Sequence, residues 1–185
     1  MRLTILRHAP SLAGGRMAGR RDVDADCGDH AGLARQASRI GAGQLGAGAQ
    51  VVASPARRCR QTAAALGLTP DRFEPALWEQ DLGAWDGLPP EALPDLGPLP
   101  PHALARHRPE GGESFNDMAG RVIPVLQALD RDTVLIAHAG TVRAALSMVV
   151  GPAALSFAVA PLSLTMLRRA GDAWAVDCVN LRAGD

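Results

Sequence analysis

The chain has 185 residues, enough for one domain with a core of its own, and its 19 basic residues, all arginine, are balanced by 19 acidic ones. That balance excludes the overall positive field of a nucleic-acid binder or of a protein held on an acidic membrane surface, so any anion site has to be local. No run of eighteen or more apolar residues occurs, the first seven residues turn polar too early for a secretion signal, and Cys27, Cys59 and Cys178 lack the paired spacing of zinc sites or disulfide frameworks; a cytoplasmic protein with reduced thiols is expected.

In chain order, Arg2 to Arg7 reads as a short strand that breaks at Pro10, so His8 lies just beyond a strand end. Apolar residues from Ala31 to Leu45 recur at helical spacing, and Gln50 to Ala53 is a brief buried strand. Ser54 and Pro55 then suit the N-cap and first position of a helix running to about Leu66. Between Leu88 and Gly112 the pattern dissolves into a Pro-rich stretch, expected to be a substrate-facing insertion within one domain spanning 1–185. Ser114 with Asp117 makes a capping-box start for a helix whose apolar face is Phe115, Met118, Val122, Val125, Leu126 and Leu129. Thr133 to Ala137 is the clearest core strand, followed by a helix from about Thr141 to Val149, and Leu162 to Leu167 with Ala173 to Val179 look like closing strands. This alternation predicts an α/β fold, a three-layer sandwich with a mostly parallel sheet and the active site at the carboxyl ends of the strands.

Two signals mislead. Gly41-Ala42-Gly43-Gln44-Leu45-Gly46 matches the dinucleotide-binding fingerprint, but it ends a helix and precedes a strand, the reverse of the order that motif needs, and reads instead as a helix end and turn. Arg57, Arg58 and Arg60 form a basic run without interleaved aromatics and point in different directions on a helix, so at most one or two share a pocket. His30, His102 and His107 stand outside any motif and read as surface residues.

Five segments occur in a fixed order: Arg7-His8; Ser54-Pro55-Ala56-Arg57-Arg58-Cys59-Arg60-Gln61-Thr62-Ala63; Leu77-Trp78-Glu79-Gln80-Asp81-Leu82-Gly83-Ala84-Trp85-Asp86-Gly87; Gly112-Glu113-Ser114; and Val134-Leu135-Ile136-Ala137-His138-Ala139-Gly140. Together they resemble the successive signatures of the histidine phosphatase (phosphoglycerate mutase-like) superfamily, from Leu3 to about Leu146. The resemblance implies His8 as the nucleophile, Arg7 and Arg58 as phosphate-binding arginines, Glu79 as general acid and base, and His138 as the second histidine of the phosphate pocket, with no metal or other cofactor.

The chemistry of these residue types agrees. A phosphomonoester is close to a dianion, and arginine's planar fork matches its oxygen pairs better than lysine. An opening helical turn near Ser54 would add unpaired N–H groups around Arg58. Nearby cations keep His8 neutral, as a nucleophile has to be. Trp78 and Trp85 flank Glu79 and could shelter it. Arg20 and Arg21, with Arg16, are candidates for contact with a distal anion of the substrate.

The sequence departs from the family pattern at Ala9, Gly14, Ala137 and Ala139, which affects one polar phosphate contact and the width of the pocket. The expected function is hydrolysis of a small-molecule phosphate ester through phosphohistidine, with compact members such as α-ribazole phosphatase, and hence α-ribazole 5'-phosphate, as the nearest suggestion. Mutase-type phosphoryl transfer, a protein phosphohistidine phosphatase and a silent phosphate-binding protein are the alternatives. No nucleic-acid or membrane partner is expected, and the oligomeric state is not legible.

Overall fold

The computed structural model describes residues 1–41 and 49–185. Its strands are β1 (Arg2–Arg7), β2 (Gln50–Ala53), β3 (Arg72–Phe73), β4 (Thr133–Ala137), β5 (Leu164–Ala170) and β6 (Ala173–Leu181). The α-helices are α1 (His30–Gly41), α2 (Arg57–Ala65), the one-turn α3 (Pro101–Leu104), α4 (Phe115–Gln127) and α5 (Ala139–Val150). β1, β2 and β4 fall where the apolar runs predict them, because each is short, rich in β-branched or leucine residues and bounded by turn-forming sequence. The Gly41–Gly46 turn, and the end of the predicted first helix, lie outside the described residues beyond Gly41.

The strands form one sheet in the order β3-β2-β4-β1-β5-β6. Pairs β3–β2, β2–β4 and β4–β1 are parallel, whereas β1–β5 and β5–β6 are antiparallel. The sheet is therefore mixed, a correction to the mostly parallel sheet expected. The physical reason is the two-residue connection Gly171-Asp172, with Gly171 at φ 59°, which can join β5 to β6 only as a hairpin.

Alternation along β1 sends Leu3 and Ile5 to one face and Leu6 to the other. The first face packs with Met118, Val122 and Leu126 of α4 and Val142 and Leu146 of α5. The second packs with Leu33 and Ile40 of α1 and Cys59 and Ala63 of α2, so helices cover both faces of the sheet. β4, the middle parallel strand, is buried along its whole length, as a strand covered on both faces has to be. In the apolar stretch Ala139–Ser156, Val142, Ala144, Ala145, Leu146 and Ala154 are buried in the cluster on that first face.

Two helix starts contrast. At α4 the capping box forms as predicted: Asp117 N–H donates to Ser114 Oγ (3.1 Å) and Ser114 N–H to Asp117 Oδ2 (2.8 Å). At α2 the predicted Ser54 cap does not form. Ala56 is the N-cap residue with extended backbone, and the free N–H of Arg57 donates instead to Oδ1 of Asp22, 2.7 Å away on a distant loop. Ser54 is withdrawn into the interior, where its hydroxyl meets His138.

Candidate active site

β1, β4 and β2 are adjacent and parallel, and each ends one residue before a polar group: Arg7 before His8, Ala137 before His138, Ala53 before Ser54. The ladder extends past the strand ends, with His8 N–H donating to Ala137 O (2.9 Å) and Ser54 N–H to Ile136 O (3.0 Å). Register thus brings together three side chains that are 46 and 84 residues apart in sequence. The His8 and His138 rings meet edge to face at 5.1 Å, and His138 Nε2 lies 2.9 Å from Ser54 Oγ.

His8 is 5% exposed, and its two ring nitrogens are set apart by their partners. Nδ1 faces Ala9 O at 2.6 Å, which a carbonyl allows only if Nδ1 carries the proton; Nε2 accepts from Arg58 Nε–H at 3.2 Å. Burial first, then the charge of Arg58, pushes the His8 pKa down to about 3. The imidazole is therefore neutral with its lone pair on Nε2. His138, fully buried, is driven well below the usual histidine value by burial and then by its neighbours His8, Arg58 and Arg7, and its Nδ1 has no hydrogen-bond partner.

Arg58 is almost completely buried, and its fork ties the chain together as well as facing His8. Nη1 donates to Arg21 O (2.9 Å), and Nη2 to Ala18 O (3.1 Å) and Gly19 O (2.9 Å). The same loop is held from its amide side by Asp86, whose carboxylate accepts from the N–H groups of Gly19, Arg20 and Arg21 at 2.9 to 3.1 Å. Arg7 donates through Nη1 to Val159 O, while its buried Nε has no partner. Burial lowers the Arg7 pKa, and Glu79 opposes that shift.

The Glu79 carboxylate lies at the amino end of α5, accepting from Gly140 N–H at Oε2 (3.3 Å) and from its neighbour Gln80 N–H at Oε1 (3.0 Å). A Cβ on residue 140 would overlap that carboxylate, so glycine is what admits Glu79 to the site. The loop behind Glu79 is fixed by Arg121 of α4. Its guanidinium donates to Ala76 O (2.6 Å), Trp78 O (2.7 Å) and Glu79 O (3.0 Å), and forms a bidentate pair with Glu113 (2.7 and 2.8 Å). Burial would raise the Glu113 pKa, but the Arg121 hydrogen bonds hold it below the ordinary value.

Arg7, His8, Arg58, Glu79 and Gly140 line one cavity of about 360 Å³, together with Arg16 and Arg143. Arg20 and Arg21 are not among its lining residues: Arg20 reaches Glu113 (3.6 Å) and the Trp78 ring, and Arg21 packs against Gly87. No residue of the 88–112 stretch lines it either, and Ala105 of that stretch is part of the core. Trp78 stacks on His138 with 6.4 Å between rings. Trp85 stacks on His107 at 5.1 Å, so His107 is half-buried where a surface residue was expected. Arg57 pairs with Asp24 (2.7 Å), and Arg60 lies over Phe73, both outside the cavity.

Sequence reasoning missed Arg121, Arg143 and Asp22. Arg121 and Arg143 follow the Ser114 and His138 motifs by seven and five residues, a spacing that carries no meaning until the helices are packed.

A pocket that joins arginines to a neutral, oriented histidine is built to handle an anion. The family model for the histidine phosphatase superfamily (branch 1) matches residues 3–182, and the chain belongs to that superfamily. It is thereby a hydrolase of the phosphatase type. A curated relative, the glucosyl-3-phosphoglycerate phosphatase of Mycolicibacterium vanbaalenii, is 32% identical over 173 residues, covering 81% of this chain and 74% of the relative. Among solved structures, a mycobacterial glucosyl-3-phosphoglycerate phosphatase matches with a TM-score of 0.81 at 27% identity, over 98% of this chain and 99% of that one. A protein from Thermus thermophilus matches with a TM-score of 0.72 at 30% identity, over 98% and 99% of the two chains.

Proposed function

We propose that the protein hydrolyses a small phosphomonoester through a phosphohistidine on His8. The observation that carries this reading is the tautomer: Nδ1–H is given to Ala9 O, so the lone pair sits on Nε2, where it accepts from Arg58 Nε–H and turns to phosphorus once that N–H is given to a phosphoryl oxygen. In the first step Nε2 attacks in line, the P–O bond to the alcohol breaks, and Glu79 gives its proton to the departing oxygen. Arg7 through its unpaired Nε, Arg58, and His138 through Nδ1 hold the equatorial oxygens. His138 can donate at Nδ1 because Ser54 Oγ–H can serve its Nε2. In the second step Glu79 takes a proton from water, which attacks phosphorus, and the N–P bond breaks to return neutral His8 and release phosphate.

A mycobacterial glucosyl-3-phosphoglycerate phosphatase has been solved in complex with VO3, a species whose chemistry imitates phosphate, and it is 29% identical to this chain with a TM-score of 0.81. That likeness supports a phosphatase of small molecules and does not single out α-ribazole 5'-phosphate. We place the enzyme in the cytoplasm, as one domain over 1–185. The test is release of p-nitrophenol from p-nitrophenyl phosphate in EDTA. Wild-type turnover that His8→Ala abolishes is the expected result; turnover that survives in His8→Ala would overturn the nucleophile.

A further inference from the structure

Residues 18–21 belong to no helix or strand, so no ladder fixes the direction of their peptide groups. Two charged side chains fix it from opposite sides. The carboxylate of Asp86 accepts from Gly19 N–H (3.1 Å), Arg20 N–H (2.9 Å) and Arg21 N–H (3.1 Å), while the guanidinium of Arg58 donates to Ala18 O (3.1 Å), Gly19 O (2.9 Å) and Arg21 O (2.9 Å). The peptide groups Ala18–Gly19 and Gly19–Arg20 each turn their N–H to Asp86 and their C=O to Arg58. Each dipole thus lies between a negative and a positive charge, and the bond at one end strengthens the bond at the other. Among the described residues Asp86 forms no ion pair, so its charge acts on these backbone N–H groups.

These bonds leave Arg58 little freedom. Of the five N–H donors of an arginine, both on Nη2 and one on Nη1 go to the loop carbonyls, and Nε–H goes to His8 Nε2 (3.2 Å). The fork therefore faces the loop and the Nε–H faces the reacting nitrogen. A guanidinium rotated out of this seat would leave the buried Gly19 carbonyl without a donor, which is costly. Gly19 also has no room for a Cβ, which would meet Gln80 O and the Leu82 side chain, so the loop is seated close against the segment that follows Glu79.

We propose that Asp86 is a positioning residue for phosphoryl transfer: acting through the backbone of residues 18–21, its carboxylate aims the guanidinium of Arg58 so that Nε–H stands at His8 Nε2. Asp86 does not line the cavity itself, and its kinetic effect rests on the phosphatase reading above. Without the carboxylate the three N–H groups turn to water, the loop carbonyls turn with them, and Arg58 loses the seat from which it meets a phosphoryl oxygen. A role confined to folding the loop would leave the contact between Arg58 and His8 as it is.

Asp86→Asn keeps the size of the side chain and one acceptor, but removes the charge and sets an amide NH2 against the loop. Two quantities are measured on the whole chain: kcat/KM for p-nitrophenyl phosphate, with Arg58 present and in an Arg58→Ala background, and the ¹⁵N resonance of His8 Nε2. Asp86→Asn is expected to lower kcat/KM by about 10-fold or more with Arg58 present, the scale of a hydrogen bond to a charged group. In Arg58→Ala, where no guanidinium is left to aim, it lowers kcat/KM by less than about twofold. The Nε2 resonance moves toward that of an imidazole nitrogen with no donor beside it. Asp86→Ser, which also removes the charge, carries the test if Asp86→Asn fails to fold. Equal factors in the two backgrounds, or an unchanged Nε2 resonance, overturn the proposal and leave the phosphatase reading intact. A wild type without turnover overturns the phosphatase reading, and the Nε2 resonance then decides alone whether Asp86 aims Arg58.

Discussion

Arg58 Nε lies 3.2 Å from His8 Nε2, so a permanent cation donates to the nitrogen that would bond to phosphorus. The contact excludes a proton from that nitrogen and places fixed positive charge where a phosphoryl oxygen would arrive.

The first prediction concerns His8 itself. Its ring should stay neutral, in the Nδ1–H tautomer, well below pH 6, with protonation only as pH approaches about 3. Two-dimensional ¹H–¹⁵N spectra of the ring nitrogens over pH 7 to 4.5 check this; a titration centred near 6.5 would refute it.

The same shift fixes the sign of the pH dependence of stability. Between about 6.5 and about 3 the unfolded chain binds a proton at His8 that the folded one does not, so stability falls as pH falls through that window. His138 acts in the same direction. Each histidine contributes a slope of about 1.4 kcal/mol per pH unit where only the unfolded form is protonated. Urea unfolding at pH 7 and pH 5 should show the lower midpoint at pH 5, and the difference should shrink in His138→Gln.

Arg121 spends its donors on the backbone that carries Glu79, and on Glu113. Arg121→Gln should therefore impair proton delivery to the leaving group. The expected signature is a ratio of kcat for an alkyl phosphate to kcat for p-nitrophenyl phosphate that falls by about 10-fold to 100-fold, a partial loss that reaches at most the lower end of the range for general acid catalysis. A general loosening of the fold would lower both substrates alike.

Gly140 leaves room for the Glu79 carboxylate at the start of α5. Gly140→Ala should displace that carboxylate, lowering kcat for alkyl phosphates by about 10-fold or more. Alanine is the better helix former, so the midpoint of thermal unfolding should change much less than activity does.

Asp22, not Ser54, accepts the first free N–H of α2. Asp22→Ala should destabilise the protein by about 1 kcal/mol, as the loss of an N-cap does, measured by urea unfolding. Ser54→Ala should instead show its effect in turnover, through the orientation of His138.

The elements that build the site were legible because their signals are local. β1, β2 and β4 are short apolar runs closed by turn residues, and the Ser114–Asp117 capping box needs only a spacing of three. The order of the Arg-His, Ser-Pro-Ala-Arg-Arg and Ala-His-Ala-Gly segments likewise identified the family, since each motif is contiguous in the chain.

What the sequence could not determine depends on partners brought together across long separations. The antiparallel β5 and β6, the Asp22 cap on α2, the grip of Asp86 and Arg58 on opposite sides of one loop, and the convergence of Arg143 with Arg16 all join residues that no local pattern links. Propensity and periodicity act over a few residues, so they set strands, helices and caps; hydrogen-bond satisfaction and charge balance are resolved only once the sheet has closed, and that tertiary step decided which arginines face the cavity and which face their own carboxylates.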